Sequence, residues 1–152
     1  LYTLIEPRRG DYQHMLVHLR SKKKKLNNKK YNFYDSKNNN FVFNRYKTEG
    51  KYKQQVFSIT NKKLQHIIKK YISSHNSEYF VGKEFSQTSN YSKKLKGVFK
   101  RHFEKPLGSN LLRKIYNSYF DKQNEKVHAA DKDRALRMAH SVKTQKEYYS
   151  II

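Results

Sequence analysis

Cysteine is absent from the 152-residue chain, and so is tryptophan. Without Cys there is no disulfide and no Cys-ligated zinc, which fits a reducing compartment. Acidic side chains are scarce: 12 Asp and Glu stand against 34 Lys and Arg, a formal net charge of +22. An imbalance of that size calls for a polyanionic partner, nucleic acid first and an acidic membrane surface second. An AT-rich coding bias raises Lys, Asn and Tyr together, but Asp and Glu do not rise with Lys, so the charge argument stands. No apolar run approaches the ~18 residues that span a bilayer, and no basic leader with an apolar segment opens the chain. A soluble intracellular protein is the expectation. There is no internal repeat and no Pro- or Ser-rich linker, so the length points to one domain with a core of its own. The chain opens on Leu1, without an initiator Met, in a structured-looking segment, and we expect a fragment.

Taken in order, residues 1–19 read as helical pieces around Pro7, with Leu1, Leu4 and Ile5 on one face and Met15, Leu16 and Leu19 on another. Between them, Pro7 and Gly10 flank Arg8 and Arg9 in a tight turn, with Asp11 placed to hold an arginine fork. Residues 21–30 are nearly all Lys and Asn and read as a solvated loop. Three short segments, 31–34, 41–46 and 54–59, are aromatic and β-branched and read as a small three-stranded antiparallel sheet. Asn38, Asn39 and Asn40 would turn the first hairpin, and Lys47, Thr48, Glu49 and Gly50 the second. A helix over 61–73 follows, capped by Asn61, with Leu64, Ile67, Ile68, Tyr71 and Ile72 as its apolar stripe. A brief extended piece at 78–82 precedes a helix over 89–103. The polar face of that helix carries Lys93, Lys94, Lys96, Lys100 and Arg101, which would touch phosphates beside a DNA site.

Ser109 or Asn110 would cap the next helix, over 111–120, leaving Arg113 in its first turn. A cation there opposes the helix dipole, so an anion should compensate it. Another helix is expected over 131–139. His140 follows, then a polar run, then Tyr148 and Tyr149 on a final short helix.

Four separated pieces, Arg8 to Asp11, Lys47 in a hairpin turn, Asn110 to Arg113, and His140 with a tyrosine nine residues later, together resemble the tyrosine recombinases, or phage-type integrases. The nearest flavour is the Lys- and Asn-rich recombinases of large DNA viruses. The resemblance covers essentially residues 1–152 as that family's catalytic domain, with the N-terminal DNA-binding domain missing. It implies an α+β, mainly α-helical catalytic fold with a small three-stranded antiparallel sheet. It also implies that Arg8 and Arg113 are the two catalytic arginines, Lys47 the β-hairpin lysine, His140 the second His-or-Trp position and Tyr149 the nucleophile. Arg9 and the basic face of the 89–103 helix would bind double-stranded DNA. One residue departs from the pattern: Asn110 stands where the family's His-x-x-Arg motif has histidine. An Asn amide donates a hydrogen bond but carries no proton through a reaction.

The chemistry needs these residue types. Attack of a phenol oxygen on a DNA phosphodiester adds charge to the non-bridging oxygens, and two arginine forks neutralise it in a geometry that a lysine pair does not match. Tyrosine, with an unperturbed pKa of ~10, needs cations and a proton acceptor to ionise. The leaving 5′-oxygen needs a proton, which a lysine on a mobile turn delivers. The product is a 3′-phosphotyrosine that stores the bond energy. No metal or other cofactor is implied. Assembly as a multimer on DNA is, together with location wherever that DNA lies, in a host nucleus, cytoplasm or viral factory.

Rival readings share parts of this pattern. A type IB topoisomerase or telomere resolvase uses the same chemistry and differs after cleavage. A non-catalytic DNA- or RNA-binding protein explains the charge but not the order of Arg8, Lys47, Arg113, His140 and Tyr149. His14 and His18 lie four apart on the expected helix, but no Glu or Cys completes a zinc site. Most of the 13 Tyr and 9 Phe are expected to fill the core in place of Trp, Val and Leu.

Overall fold

The computed structural model describes residues 1–18, 29–75, 77–86, 90–123 and 136–138. The chain divides into two compact units, Asp11–Tyr91 and a second made of Leu1–Gly10 with Ser92–Ile152.

The Asp11–Tyr91 unit is built on a sheet of four strands in the order β1 (Leu16–His18), β2 (Phe33–Asp35), β3 (Asn40–Phe43) and β4 (Gln55–Ser58). β2–β3 and β3–β4 are antiparallel, whereas β1 runs parallel to β2, with Leu16 opposite Phe33 and His18 opposite Asp35. The expected three-stranded antiparallel sheet, and the recombinase-like fold it belonged to, are therefore corrected to a mixed four-stranded α+β arrangement.

The extra strand comes from a segment that reads as helical. Met15 and Leu16 satisfy either period, and hydrogen bonding decides between them. Leu16 N donates to Asn32 O at 2.9 Å, Val17 N to Glu78 O at 2.8 Å, and Phe80 N to Met15 O at 2.8 Å. β1 is thus bonded on both sides, with Tyr79 forming an antiparallel bridge to Leu16. A parallel neighbour needs a connection of about a dozen residues or more, and residues 19–32 supply that length. No helix forms over residues 1–18, so His14 and His18 do not share a helix face.

Period-two alternation in β3 sends Phe41 and Phe43 to one face. Phe41 stacks against Tyr12 at 5.5 Å, Tyr34 at 5.6 Å and Phe80 at 5.3 Å between ring centroids. These rings, all buried, make the core that Trp would otherwise fill, and several meet edge to face, the arrangement aromatic quadrupoles favour. The opposite face is thinner: Val42 pairs with Val56, which is 53% exposed.

Two short helices, α1 (Glu49–Tyr52) and α3 (Lys83–Ser86), flank the longer α2 (Lys62–Ser74) in sequence. Asn61 caps α2 as expected, its Oδ1 accepting from Leu64 N at 3.0 Å. Leu64 and Ile68 are its buried residues.

The second unit carries α4 (Tyr91–Phe103), apart from Tyr91, and α5 (Ser109–Gln123). α5 begins at Ser109, and Leu112 N bonds Gly108 O at 3.0 Å. Ser109 and Asn110 are therefore its first helical residues and not its caps. Arg113 consequently sits beyond the first turn. Gly108 lies where an added Cβ would be 3.1 Å from Lys96 Cε, so the lysine's aliphatic stem covers the entry to α5. Of the helix expected over 131–139, only residues 136–138 are described, and Leu136 and Arg137 are helical. His140, Tyr148 and Tyr149 lie outside the described residues. No helix of the described residues is long and apolar enough to cross a membrane.

Candidate functional site

α5 buries polar side chains alongside Leu112, which is 5% exposed. Leu111, Ile115 and Tyr119, at four-residue spacing, are 42%, 47% and 59% exposed, while Arg113 and Asn117 are fully buried on the other side. Burial of a charge and an amide in place of available apolar residues is costly. A face built that way has a reason other than core formation.

Arg8, also fully buried, comes from the turn after Pro7 in the same unit. The turn is fixed by Tyr2, whose hydroxyl donates to Arg9 O at 2.7 Å. From these two anchors the arginines reach the same short segment. Arg8 Nη1 donates to Arg137 O at 2.7 Å, and Arg113 Nη2 to Met138 O at 3.2 Å. Arg137 itself approaches Glu6, Nε to Oε1, at 3.9 Å. Two guanidiniums from distant parts of the sequence thus bind the successive carbonyls of Arg137 and Met138, three and two residues before His140 in the sequence.

Asn117 is a functional candidate that the sequence reading missed. One helical turn past Arg113, it shares that residue's face. Among the described residues neither its Nδ2 nor its Oδ1 makes a hydrogen bond. A buried donor or acceptor left in that state costs about 1–3 kcal/mol. Asn110, the residue in the family's histidine position, is exposed in the first turn of α5. The one signal in the sequence was the i, i+4 interval from Arg113.

Lys47 belongs to the other unit, where it is exposed. The connection carrying it is longer than the expected hairpin turn, because α1 intervenes between β3 and β4. Buried Asn32 fixes its start: Nδ2 donates to Asp11 O and Arg45 O, and Oδ1 accepts from Asn44 N and Arg45 N, all at 2.8–2.9 Å. Glu49 then accepts from Tyr46 N at 3.0 Å and pairs with Arg45 at 2.8 Å. Tyr46 OH donates to Lys53 O at 2.6 Å. The backbone on either side of Lys47 is pinned by these bonds.

Of the expected DNA-binding residues, Lys93, Lys96, Lys100 and Arg101 are exposed on α4, Lys94 is half-buried there, and Arg9 is half-buried beside Arg8. No group of three or more His, Cys, Asp or Glu able to hold a metal occurs among the described residues. Comparison of the chain with family models, curated proteins and solved structures gave no match.

Proposed function

We propose that the chain cuts and rejoins DNA strands through a covalent 3′-phosphotyrosine, as a strand transferase of the tyrosine-recombinase type. The observation that carries this reading is the convergence of Arg8 and Arg113, both fully buried, on the successive carbonyls of Arg137 and Met138. A planar fork of donors aimed at oxygens is the arrangement that recognises a phosphodiester. The carbonyl oxygens of two successive residues occupy it here, and the non-bridging oxygens of a scissile phosphate would exchange with them.

In this scheme Arg8 and Arg113 hold those oxygens and offset the charge that grows on them as phosphorus becomes five-coordinate. Asn117 Nδ2, one turn from Arg113, is a neutral donor for the same group. The Tyr149 oxygen attacks phosphorus, its proton passing to a neighbouring acceptor, with His140 as the candidate. The bond to the 5′-oxygen breaks and Lys47 protonates that oxygen, leaving a free 5′-hydroxyl and the protein on the 3′-phosphate. Attack of a 5′-hydroxyl from another strand reverses the step and completes exchange. The partner is double-stranded DNA, on which several copies assemble, and the protein works wherever that DNA lies.

The test is an adduct assay. Supercoiled and nicked duplexes are incubated with the protein, denatured in detergent and resolved before and after protease digestion. The expected product is a protein-linked 3′ end beside a free 5′-hydroxyl. DNA that is bound but never covalently linked would instead identify a binding module.

A further inference from the structure

α2 carries a second basic surface, distinct from the one on α4. Its sequence contains Lys62, Lys63, His66, Lys69 and Lys70 and no acidic residue. The chain has no Asp or Glu anywhere between Glu49 and Glu78. At about 100° per residue, the five side chains fall within an arc of roughly 120°. The centre of that arc is diametrically opposite Leu64 and Ile68, which are 2% and 4% exposed. All five basic residues are exposed, and no ion pair or hydrogen bond engages them among the described residues.

This arrangement works against the folded protein. Lys62 and Lys63 occupy the first turn, where the helix dipole repels cations. His66, when protonated, lies three or four residues from each lysine and adds like-charge repulsion. An ordinary solvated face mixes signs, which would relieve both effects, and α2 does not. The charge is relieved when a polyanion lies along the helix.

We propose that the exposed face of α2 binds the phosphate backbone of duplex nucleic acid. From Lys62 to Lys70 the helix rises about 12 Å, against a duplex that presents one negative charge per about 1.7 Å of its axis. Several phosphates therefore lie within reach of four flexible lysine stems. An anionic bilayer is the weaker partner. Interfacial helices insert a broad apolar face, whereas Leu64 and Ile68 of α2 are buried and Ile67, 46% exposed, is the large hydrophobic left at its surface. Duplex DNA as the ligand rests on the strand-transfer reading; the surface itself does not depend on catalysis.

The experiment compares wild-type protein with Lys62→Gln/Lys63→Gln/Lys69→Gln/Lys70→Gln and with a control, Lys29→Gln/Lys37→Gln/Lys53→Gln/Lys105→Gln, that removes equal charge from exposed positions elsewhere. Affinity for a random-sequence duplex is measured from about 50 to 200 mM salt. The α2 variant should flatten the slope of log affinity against log salt by roughly 2–4, at about 0.9 for each phosphate that is no longer neutralised. The control should change it by less than half as much. Equal effects from the two variants would reduce the surface to general charge and overturn the proposal. So would loss of binding to phosphatidylserine vesicles with duplex binding intact. Acylation footprinting of the wild-type protein gives an independent readout: bound duplex should protect these four lysines, and unchanged labelling would also overturn it. Because none of this reads cleavage, a missing covalent adduct leaves the surface standing, and a normal adduct does not rescue it.

Discussion

Arg8 and Arg113 donate to the carbonyls of adjacent residues, Arg137 and Met138, so two successive peptide groups link two guanidiniums that lie far apart in the sequence. The pair closes the Leu1–Gly10 segment, α5 and residues 136–138 into a single frame. Substitution therefore affects folding and chemistry together, and the two need to be separated. A lysine at either position keeps the charge but loses the planar fork. Arg8→Lys and Arg113→Lys should each remain folded by circular dichroism with a lowered Tm, and adduct yield per folded molecule should fall at least ~100-fold, the usual scale for removing one charge-stabilising donor. Adduct formation within a few-fold of wild type would mean that the arginines serve the frame alone.

Lys47 should behave differently. It is exposed on a pinned connection, so its removal disturbs neither core nor frame. Lys47→Ala should leave Tm and duplex affinity nearly unchanged and depress cleavage. A substrate with sulfur in place of the 5′-bridging oxygen has a leaving group that needs no proton and should recover most of the rate. Failure of sulfur to rescue would make Lys47 a phosphate ligand only.

How much of this was legible in the sequence depended on the range of the interactions that decide each element. The Asn61 cap, α2 and α4 follow from local spacing and appear within two residues of expectation. β1 does not: Leu16 and Val17 form a strand because Asn32 and Glu78 present backbone groups to them, and no local period reports that. The same holds for the connection after β3, whose bracing by Asn32 joins residues 11, 32, 44 and 45. At the site, Arg8 was marked by its turn between Pro7 and Gly10, and Arg113 by an expected first-turn position that α5, starting at Ser109, does not give it. Asn117 was not marked, because an Asn in mid-helix is unremarkable until its burial is known. α5 is opaque for the same reason: Leu112 is buried while Leu111 and Ile115 are 42% and 47% exposed, which spacing alone does not tell apart.

Asn117 gives a test in which stability and function should move in opposite directions. Replacing a buried amide that makes no hydrogen bond among the described residues with the similarly sized leucine, Asn117→Leu, removes a desolvation cost of about 1–3 kcal/mol. Tm should rise, by about 2–4 °C per kcal/mol for a chain of this size, while adduct yield falls. A drop in Tm with unchanged cleavage would sink the assignment, since the amide would then be a structural group.

Asn110 is exposed in the first turn of α5, and its amide cannot relay a proton. Should no other group have assumed the base role, Asn110→His speeds cleavage; where one has, the change is neutral or harmful. Because the other five proposed site residues, Arg8, Lys47, Arg113, His140 and Tyr149, are all present in the sequence, we expect an active native enzyme and at most a modest gain. Failure of both the native and the histidine form to cleave any duplex would refute the strand-transfer reading.

Tyr149, and not Tyr148, is the expected nucleophile. On the helix expected from the sequence, adjacent residues would point about 100° apart, so only one hydroxyl of the pair would face the phosphate proposed to be held by Arg8 and Arg113. The resemblance to the recombinases selects the tyrosine nine residues after His140, which is Tyr149. Peptide mapping of a trapped adduct should therefore find DNA on Tyr149. Tyr149→Phe should abolish the adduct while duplex affinity persists, whereas Tyr148→Phe should retain it. Phosphotyrosine at Tyr148, or an undiminished adduct in Tyr149→Phe, would overturn the assignment.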